Sequence, residues 1–255
     1  MSKKKKSYLI DMDGVLVHGK RAIPGAPEFI QRLIDGKHKY LILTNNSRYT
    51  PTDLQHRLQS IGINVTIDHI YSSALATAHF VQSQKPSGSA YVLGDTGIYQ
   101  ALADVGYILT DYNPDYVILA ETDSYPYDKI IQATKFIGNG VPFIATNPDP
   151  NGPTEEGLTP ACGAVAALIE KATGYSPYFV GKPNPLMMRS ALRYLDEHSE
   201  NAVMVGDRMD TDMKVGLESG LETILVLTGV TSPNMISNFP YRPNHVAESV
   251  ADIDP

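Results

Sequence analysis

Short apolar runs alternate along the chain with stretches in which apolar residues recur at helical spacing. Tyr8-Leu9-Ile10 is followed by Ala26, Phe29, Ile30, Leu33 and Ile34, the i, i+3, i+4, i+7, i+8 pattern of a helix laid on a sheet, with Gly36 as its stop. Lys39-Tyr40-Leu41-Ile42-Leu43 predicts a second buried strand. Leu54, Leu58 and Ile61 predict a second helix, opened by Thr50-Pro51 and closed by Gly62. Residues 67–71 read as a third strand and 74–82 as a helix. Strands apolar on both faces suit a sheet covered by helices above and below, and this alternation predicts a mostly parallel one.

Around Gln84-Lys85-Pro86-Ser87-Gly88-Ser89 the composition shifts to turn formers, a candidate linker. A second α/β series follows, with strands at 90–93, 116–120 and 142–145. One of its helices carries Ile98, Ala101, Leu102 and Val105. Another carries Val165, Leu168, Ile169 and Ala172, opened by Thr159-Pro160 and closed by Gly174. At Tyr178-Phe179-Val180 the first style of strand returns. Then come a helix with Met188, Ala191, Leu192 and Leu195, a strand at 202–205, a short helix with Met213 and Leu217 ending at Gly220, and a strand at 223–227. After Thr231 the Pro, Asn and Ser content predicts mostly loop. The pattern gives an α/β protein: a core of residues 1–83 and 180–255 with a parallel sheet, and an inserted unit of residues 84–179.

The 255 residues, 42% of them hydrophobic, suffice for a core domain and a smaller companion. A net charge of −7 argues against polymeric nucleic acid as a partner, and the lysines at 3–6 read as a frayed, solvated tail. Asp11 and Asp13 interrupt any apolar segment behind those lysines, so no secretory signal is expected. No stretch is long enough to span a membrane. The single cysteine, Cys162, cannot form an internal disulfide and fits a reducing compartment. The expectation is a soluble cytoplasmic protein; homo-oligomerisation stays open. The Asn-x-Ser/Thr sites at Asn45 and Asn64 read as chance matches.

The candidate chemistry lies where the apolar runs end. Asp11 and Asp13 follow the first strand, and period-two alternation would put them on one side of the chain. Ligands of open α/β sheets bind at such ends. Two adjacent carboxylates raise each other's pKa unless a cation sits between them, and Mg²⁺ prefers one or two carboxylates with phosphate oxygens. Thr44 with Asn45, Lys182, and Asp207 with Asp212 end three further runs. Singly, Thr44 reads as a cap, Lys182 as a surface lysine, and the later acids as helix-start residues. Together, from neighbouring parallel strands, they would meet at one sheet edge and supply what phosphoryl transfer needs. Asp11 is then the nucleophile and Asp13 the acid and base. Thr44 and Asn45 donate to phosphate, and Lys182 balances its charge. Asp207 joins Asp11 and Asp13 at the metal, with Asp212 behind it as an orienting partner. Asn147 and Asp149, after a strand of the inserted unit, are candidates to face the site. Tyr125 and Tyr127 could stack on a base, although half-buried surface tyrosines are the commoner case. Cys162 reads as packing.

The run Asp11-Met12-Asp13-Gly14-Val15, then Thr44, Lys182, and Gly206-Asp207 to Asp212, resembles the signature of the haloacid dehalogenase superfamily. Thr44-Asn45-Asn46-Ser47, Ala145-Thr146-Asn147-Pro148-Asp149, Pro160-Ala161-Cys162-Gly163-Ala164 and Val180-Gly181-Lys182-Pro183 extend the likeness, nearly end to end, to its NagD-like branch. The resemblance implies a Rossmann-like core with a large α/β cap inserted between the Thr and Lys motifs. An aspartate at position 13 points to phosphatase or phosphotransferase chemistry and away from dehalogenation. The resemblance further implies substrate contacts from Arg208, Met209, Asp210 and Thr211, and small phosphomonoester substrates, among them nucleoside 5′-monophosphates such as UMP. A sugar-phosphate phosphatase, a phosphomutase or phosphotransferase, and a signalling module phosphorylated on Asp11 remain as alternatives. A dinucleotide-binding module is disfavoured, because no Gly-x-Gly-x-x-Gly follows the first strand.

Overall fold

Strands Ser7–Ile10, Tyr40–Thr44 and Ala202–Gly206 are buried at every position, as strands are when both faces of a sheet are covered. In the computed structural model, which describes residues 5–154 and 157–255, they lie side by side within a six-stranded sheet. Its order is His245–Ala247, Glu222–Val226, Ala202–Gly206, Ser7–Ile10, Tyr40–Thr44, Ile70–Ser72. Leu9 stands opposite Met204 on one side and Leu41 on the other, both in parallel register. Counted along the chain the order is 6-5-4-1-2-3, a doubly wound sheet whose direction of winding reverses between its first and fourth strands. Asp11 N donates to the Val205 carbonyl at 2.9 Å, carrying that central pairing one residue further.

The chain divides into two compact units. The first comprises residues up to Thr44, Pro51–Tyr71 and Lys182–Pro255. Helix Ala26–Asp35 buries Ala26, Phe29, Ile30 and Leu33, the predicted stripe without Ile34. Helix Pro51–Ser60 buries Leu54 and Leu58; Ile61 lies past its end, and Ile63 fills the core instead. Helix Pro185–Tyr194 buries Met187, Met188, Ala191 and Leu192. The third strand is shorter than expected, Ile70–Ser72, because a 3-10 turn occupies Ile67–His69. Of the predicted basic tail, Lys3 and Lys4 lie outside the described residues. Lys6 is docked rather than frayed, pairing with Glu222 at 3.1 Å.

The second unit comprises Asn45–Thr50 and Ser72–Gly181. Its five-stranded sheet runs Tyr178–Phe179, Phe143–Ala145, Tyr116–Leu119, Ser89–Leu93, Ile108–Leu109, parallel at every pairing. Helices Tyr127–Gly138 and Cys162–Thr173 close one core over it with Ile130, Ala133, Ile137, Ala166 and Ile169. Asn151–Thr154 and Gly157–Pro160 form an antiparallel pair.

Three findings differ from the sequence expectation. The division falls at 71/72 rather than 83/84, because helix Ser73–Gln84 packs on helix Thr96–Asp104 and its Val81 carbonyl accepts from Tyr107 Oη at 2.8 Å. The strand before Lys182 belongs to the second sheet, where Phe179 pairs with Ala145. An apolar run says that a strand is buried, not which sheet buries it. The tail beyond Thr231 holds an edge strand, His245–Ala247, too short and too exposed to leave an apolar run. Among the described residues no helix is long and apolar enough to cross a membrane.

Candidate active site

Asp11 and Asp207 follow the two strands that flank the reversal point, and Thr44 ends the next strand over. Three of the predicted strand ends therefore do converge. Lys182 arrives differently, from the segment that leaves the second unit's edge strand. All of these side chains are buried: Asp11, Thr44, Lys182, Asp207 and Asp212.

Lys182 Nζ donates to Asp11 Oδ1 at 2.7 Å and to Asp212 Oδ1 at 2.8 Å. The other Asp212 oxygen accepts from Arg208 N at 3.2 Å, across the start of the turn Met209–Met213. Asp207 Oδ2 accepts from Val230 N at 2.6 Å, while Asp207 Oδ1 is buried with no hydrogen-bond partner among the described residues. Asp11, Asp207 and Asp212 each place a carboxylate oxygen within 4.8 Å of the others.

Three buried carboxylates around one ammonium are electrostatically unbalanced. Burial, then the neighbouring Asp212 and Asp11, push Asp207 up to about 8. Burial also lifts Asp212 to about 6, Asp11 adding to it and Lys182 opposing it. Asp11 is raised as well, chiefly by burial and against the pull of Lys182. For Lys182 burial acts to lower the pKa, yet Asp11 and Asp212 hold it above the usual lysine range. With every group ionised the cluster carries −2, the charge one divalent cation neutralises. The unpartnered Asp207 oxygen offers that cation a ligand, so the donor set fits a hard divalent metal bound through oxygen.

Asp13 does not join this cluster. The strand stops at Ile10, Met12 O accepts from both Leu16 N and Val17 N, and Gly14 takes φ +85°. The chain bends where period-two alternation assumed an extended strand. The Asp13 side chain is 56% exposed and receives Arg57 Nη2 at 3.3 Å. Asp212 takes the third place in the acid cluster instead.

The segment Thr228-Gly229-Val230-Thr231 completes the wall. Besides Val230 N, Thr231 N donates to Asp207 O at 3.2 Å and Thr228 Oγ1 to Gly14 O at 2.7 Å. A Cβ on Gly14 would lie 2.5 Å from Asp207 Oδ2, and one on Gly229 would overlap the same carboxylate. Sequence reading passed over this segment, although Thr-Gly directly after a fifth apolar run was the available sign. Arg57 gave no sign, since a cation in the last turn of a helix is ordinary.

The loop after Asp207 splits in two. Met209 and Thr211 are buried; Met209 packs with Met213 and Leu225, and its carbonyl accepts from Tyr241 Oη at 2.9 Å. Arg208 and Asp210 form a two-point pair at 3.0 and 2.8 Å. In the second unit, Asn45 Nδ2 donates to Asp149 Oδ2 at 3.0 Å, and the Asn45 carbonyl accepts from Asn147 Nδ2 at 2.9 Å. Tyr125 Oη is spent on the Ala120 carbonyl at 2.7 Å, whereas Tyr127 is exposed. Cys162 is buried at the start of its helix, and burial pushes its thiol up to about 12, which fits packing.

Comparison with known proteins agrees with this arrangement. A family model described as haloacid dehalogenase-like hydrolase matches residues 8–108, and a second HAD-hydrolase-like model matches residues 179–253. The chain is 51% identical over 247 residues to a dihydroxyacetone phosphatase of Corynebacterium glutamicum, covering 97% of this chain and 90% of that protein. It is 45% identical over 249 residues to the ribonucleotide monophosphatase NagD of Escherichia coli K12, covering 98% of each. The solved structure of NagD from that strain superposes with a TM-score of 0.93 at 44% identity, over 98% of both chains. The Rossmann-like parallel core with an inserted α/β unit is thus the fold of a known enzyme group, and the chain belongs to the haloacid dehalogenase-like hydrolases, among relatives named as phosphatases.

Proposed function

We propose that the protein is a Mg²⁺-dependent phosphomonoesterase that works through an aspartyl-phosphate on Asp11. The observation that carries this reading is the buried Lys182 ammonium held between Asp11 and Asp212, beside an Asp207 oxygen with no hydrogen-bond partner among the described residues. Asp11 attacks phosphorus, and Lys182 both fixes the direction of that carboxylate and offsets the charge gathering on the phosphoryl oxygens. Asp13 gives a proton to the leaving alkoxide and then takes one from the water that cleaves the acyl phosphate. Thr44 and Asn45, with the backbone N–H groups of Met12 and Asp13, are the assigned phosphate donors. Asp11 and Asp207 would hold the cation, while Asp212 orients Lys182 and the Arg208 amide. When bound, Mg²⁺ supplies two positive charges and polarises a phosphoryl oxygen.

The second unit is assigned as the cap, or substrate-specificity, domain. Nucleoside 5′-monophosphates such as UMP are the first substrate class, supported by the likeness to NagD. Dihydroxyacetone phosphate is the second, favoured by the 51% identity to the phosphatase named for it. Arg208 and Asp210 are the members of the 208–211 loop assigned to substrate; Met209 and Thr211 are buried. The test is phosphate release from a panel holding UMP, other nucleoside monophosphates, dihydroxyacetone phosphate and hexose phosphates, with Mg²⁺ and with EDTA. Metal-dependent release from one class is expected. Release from none, with a stable phosphoryl group on Asp11, would instead support a signalling module.

A further inference from the structure

Helix Pro51–Ser60 carries Arg57 in its last turn, where the helix dipole favours a cation whatever else it does. Its contacts are more specific than that. One nitrogen, Nη2, donates to Asp13 Oδ1 at 3.3 Å and to the Gly19 carbonyl at 2.8 Å. Gly19 lies in the turn between strands Val17–His18 and Arg21–Ala22, which pair as a hairpin. That hairpin is tied back to the acid's own bend by Gly14 N to Val17 O at 2.8 Å. A single guanidinium therefore joins the acid, the turn that follows it and the neighbouring helix.

Asp13 has little else to fix it. More than half of its side chain is exposed, and among the described residues Arg57 is the one side chain that holds its carboxylate. An exposed carboxylate beside a bend samples several rotamers, and only some of them reach a given point. General acid catalysis requires the acid within hydrogen-bond reach of the oxygen it protonates. A restraint that narrows the rotamers raises the fraction of encounters that succeed.

We infer that Arg57 is a positioning residue for leaving-group protonation: it sets the direction of Asp13 and, through Gly19, ties that direction to the hairpin. The inference rests on the reading of Asp13 as the acid. It predicts a loss that depends on how much the leaving group needs a proton. An alkoxide needs one; a nitrophenolate leaves almost unaided.

The experiment compares kcat/KM for p-nitrophenyl phosphate with kcat/KM for an alkyl monoester, UMP or dihydroxyacetone phosphate. This constant covers steps only up to departure of the leaving group, so later hydrolysis of the aspartyl-phosphate does not enter. Arg57→Ala is expected to lower it about tenfold to hundredfold for the alkyl ester and less than about threefold for the aryl ester. Arg57→Lys, which keeps a single donor nitrogen, is expected to recover much of the loss. Asp13→Asn is expected to show the same selectivity more strongly, and adding Arg57→Ala to it should cost nothing further. Equal losses on both esters would overturn the inference, because a merely structural role moves both. If Asp13→Asn spares the alkyl ester, the assignment of the acid fails and the inference with it. If Asp13→Asn shows the selective loss and Arg57→Ala does not, Arg57's role alone falls.

Discussion

Lys182 Nζ lies 2.7 Å from Asp11 Oδ1 although 171 positions separate them in the chain. The same ammonium reaches Asp212 at 2.8 Å, so it is at once the counter-charge of Asp11 and a support for the loop behind it. Replacing it with Met removes the charge and keeps most of the volume. Lys182→Met is expected to lower kcat by about a hundredfold or more. It should also destabilise the fold by about 3–5 kcal/mol, because two buried carboxylates lose their partner. Phosphate-release kinetics and a urea melt measure the two effects separately. An unchanged kcat would remove the charge-balancing role.

Asp11→Asn keeps the shape of the side chain and discards its charge. Turnover is expected to vanish, and no radiolabelled phosphoryl group should stay on the protein after an acid quench. The fold should persist, since a cluster already raised in pKa by burial loses one of its repelling carboxylates. Residual covalent labelling in this variant would point to another nucleophile.

The acid cluster makes the metal-free protein sensitive to pH in a defined direction. Asp207 at about 8 and Asp212 at about 6 lie above the ordinary carboxylate value, so the folded state holds protons that the unfolded chain releases. Their contribution to stability is therefore present at about pH 4 and is lost as pH rises through about 6 and then about 8. A cation competes with those protons and binds the ionised form. The Tm gained on adding Mg²⁺ should thus be larger at about pH 8.5 than at about pH 5. Equal gains at both, or no gain at either, would count against a metal in this cluster.

Gly229→Ala would set a methyl group against the Asp207 carboxylate, next to the amide of Val230 that holds it. The expected cost is about 1–3 kcal/mol of stability, together with a weakened response of Tm to Mg²⁺. A variant as stable as the parent, with the full metal response, would show that the 228–231 segment can move aside.

The convergence of side chains was legible in the sequence where it depends on a residue's place at the end of an apolar run. Asp11, Thr44 and Asp207 are of that kind, because Leu9, Ile42 and Val205 announce buried strands and a parallel sheet aligns their ends. The sequence did not give the direction from which a side chain arrives or the way it points. Asp13 follows Asp11 by two residues, but the Gly14 bend turns it toward Arg57. Lys182 follows an apolar run that pairs in the other sheet. Asn147 and Asp149 turn to Asn45 within the second unit. Strand His245–Ala247 was missed because Val246 is half exposed at a sheet edge, leaving nothing for periodicity to detect.

The two strands at the middle of the first sheet, Ser7–Ile10 and Ala202–Gly206, are far apart along the chain. During synthesis the first of them leaves the ribosome long before its neighbour exists, and closing so distant a pair is entropically slow. Asp11 therefore emerges long before Lys182, Asp207 and Asp212, the groups that surround it. The charged cluster around Lys182 cannot close until Asp212 has emerged, so the nascent chain makes its central strand first and only much later the groups that give Asp11 its surroundings.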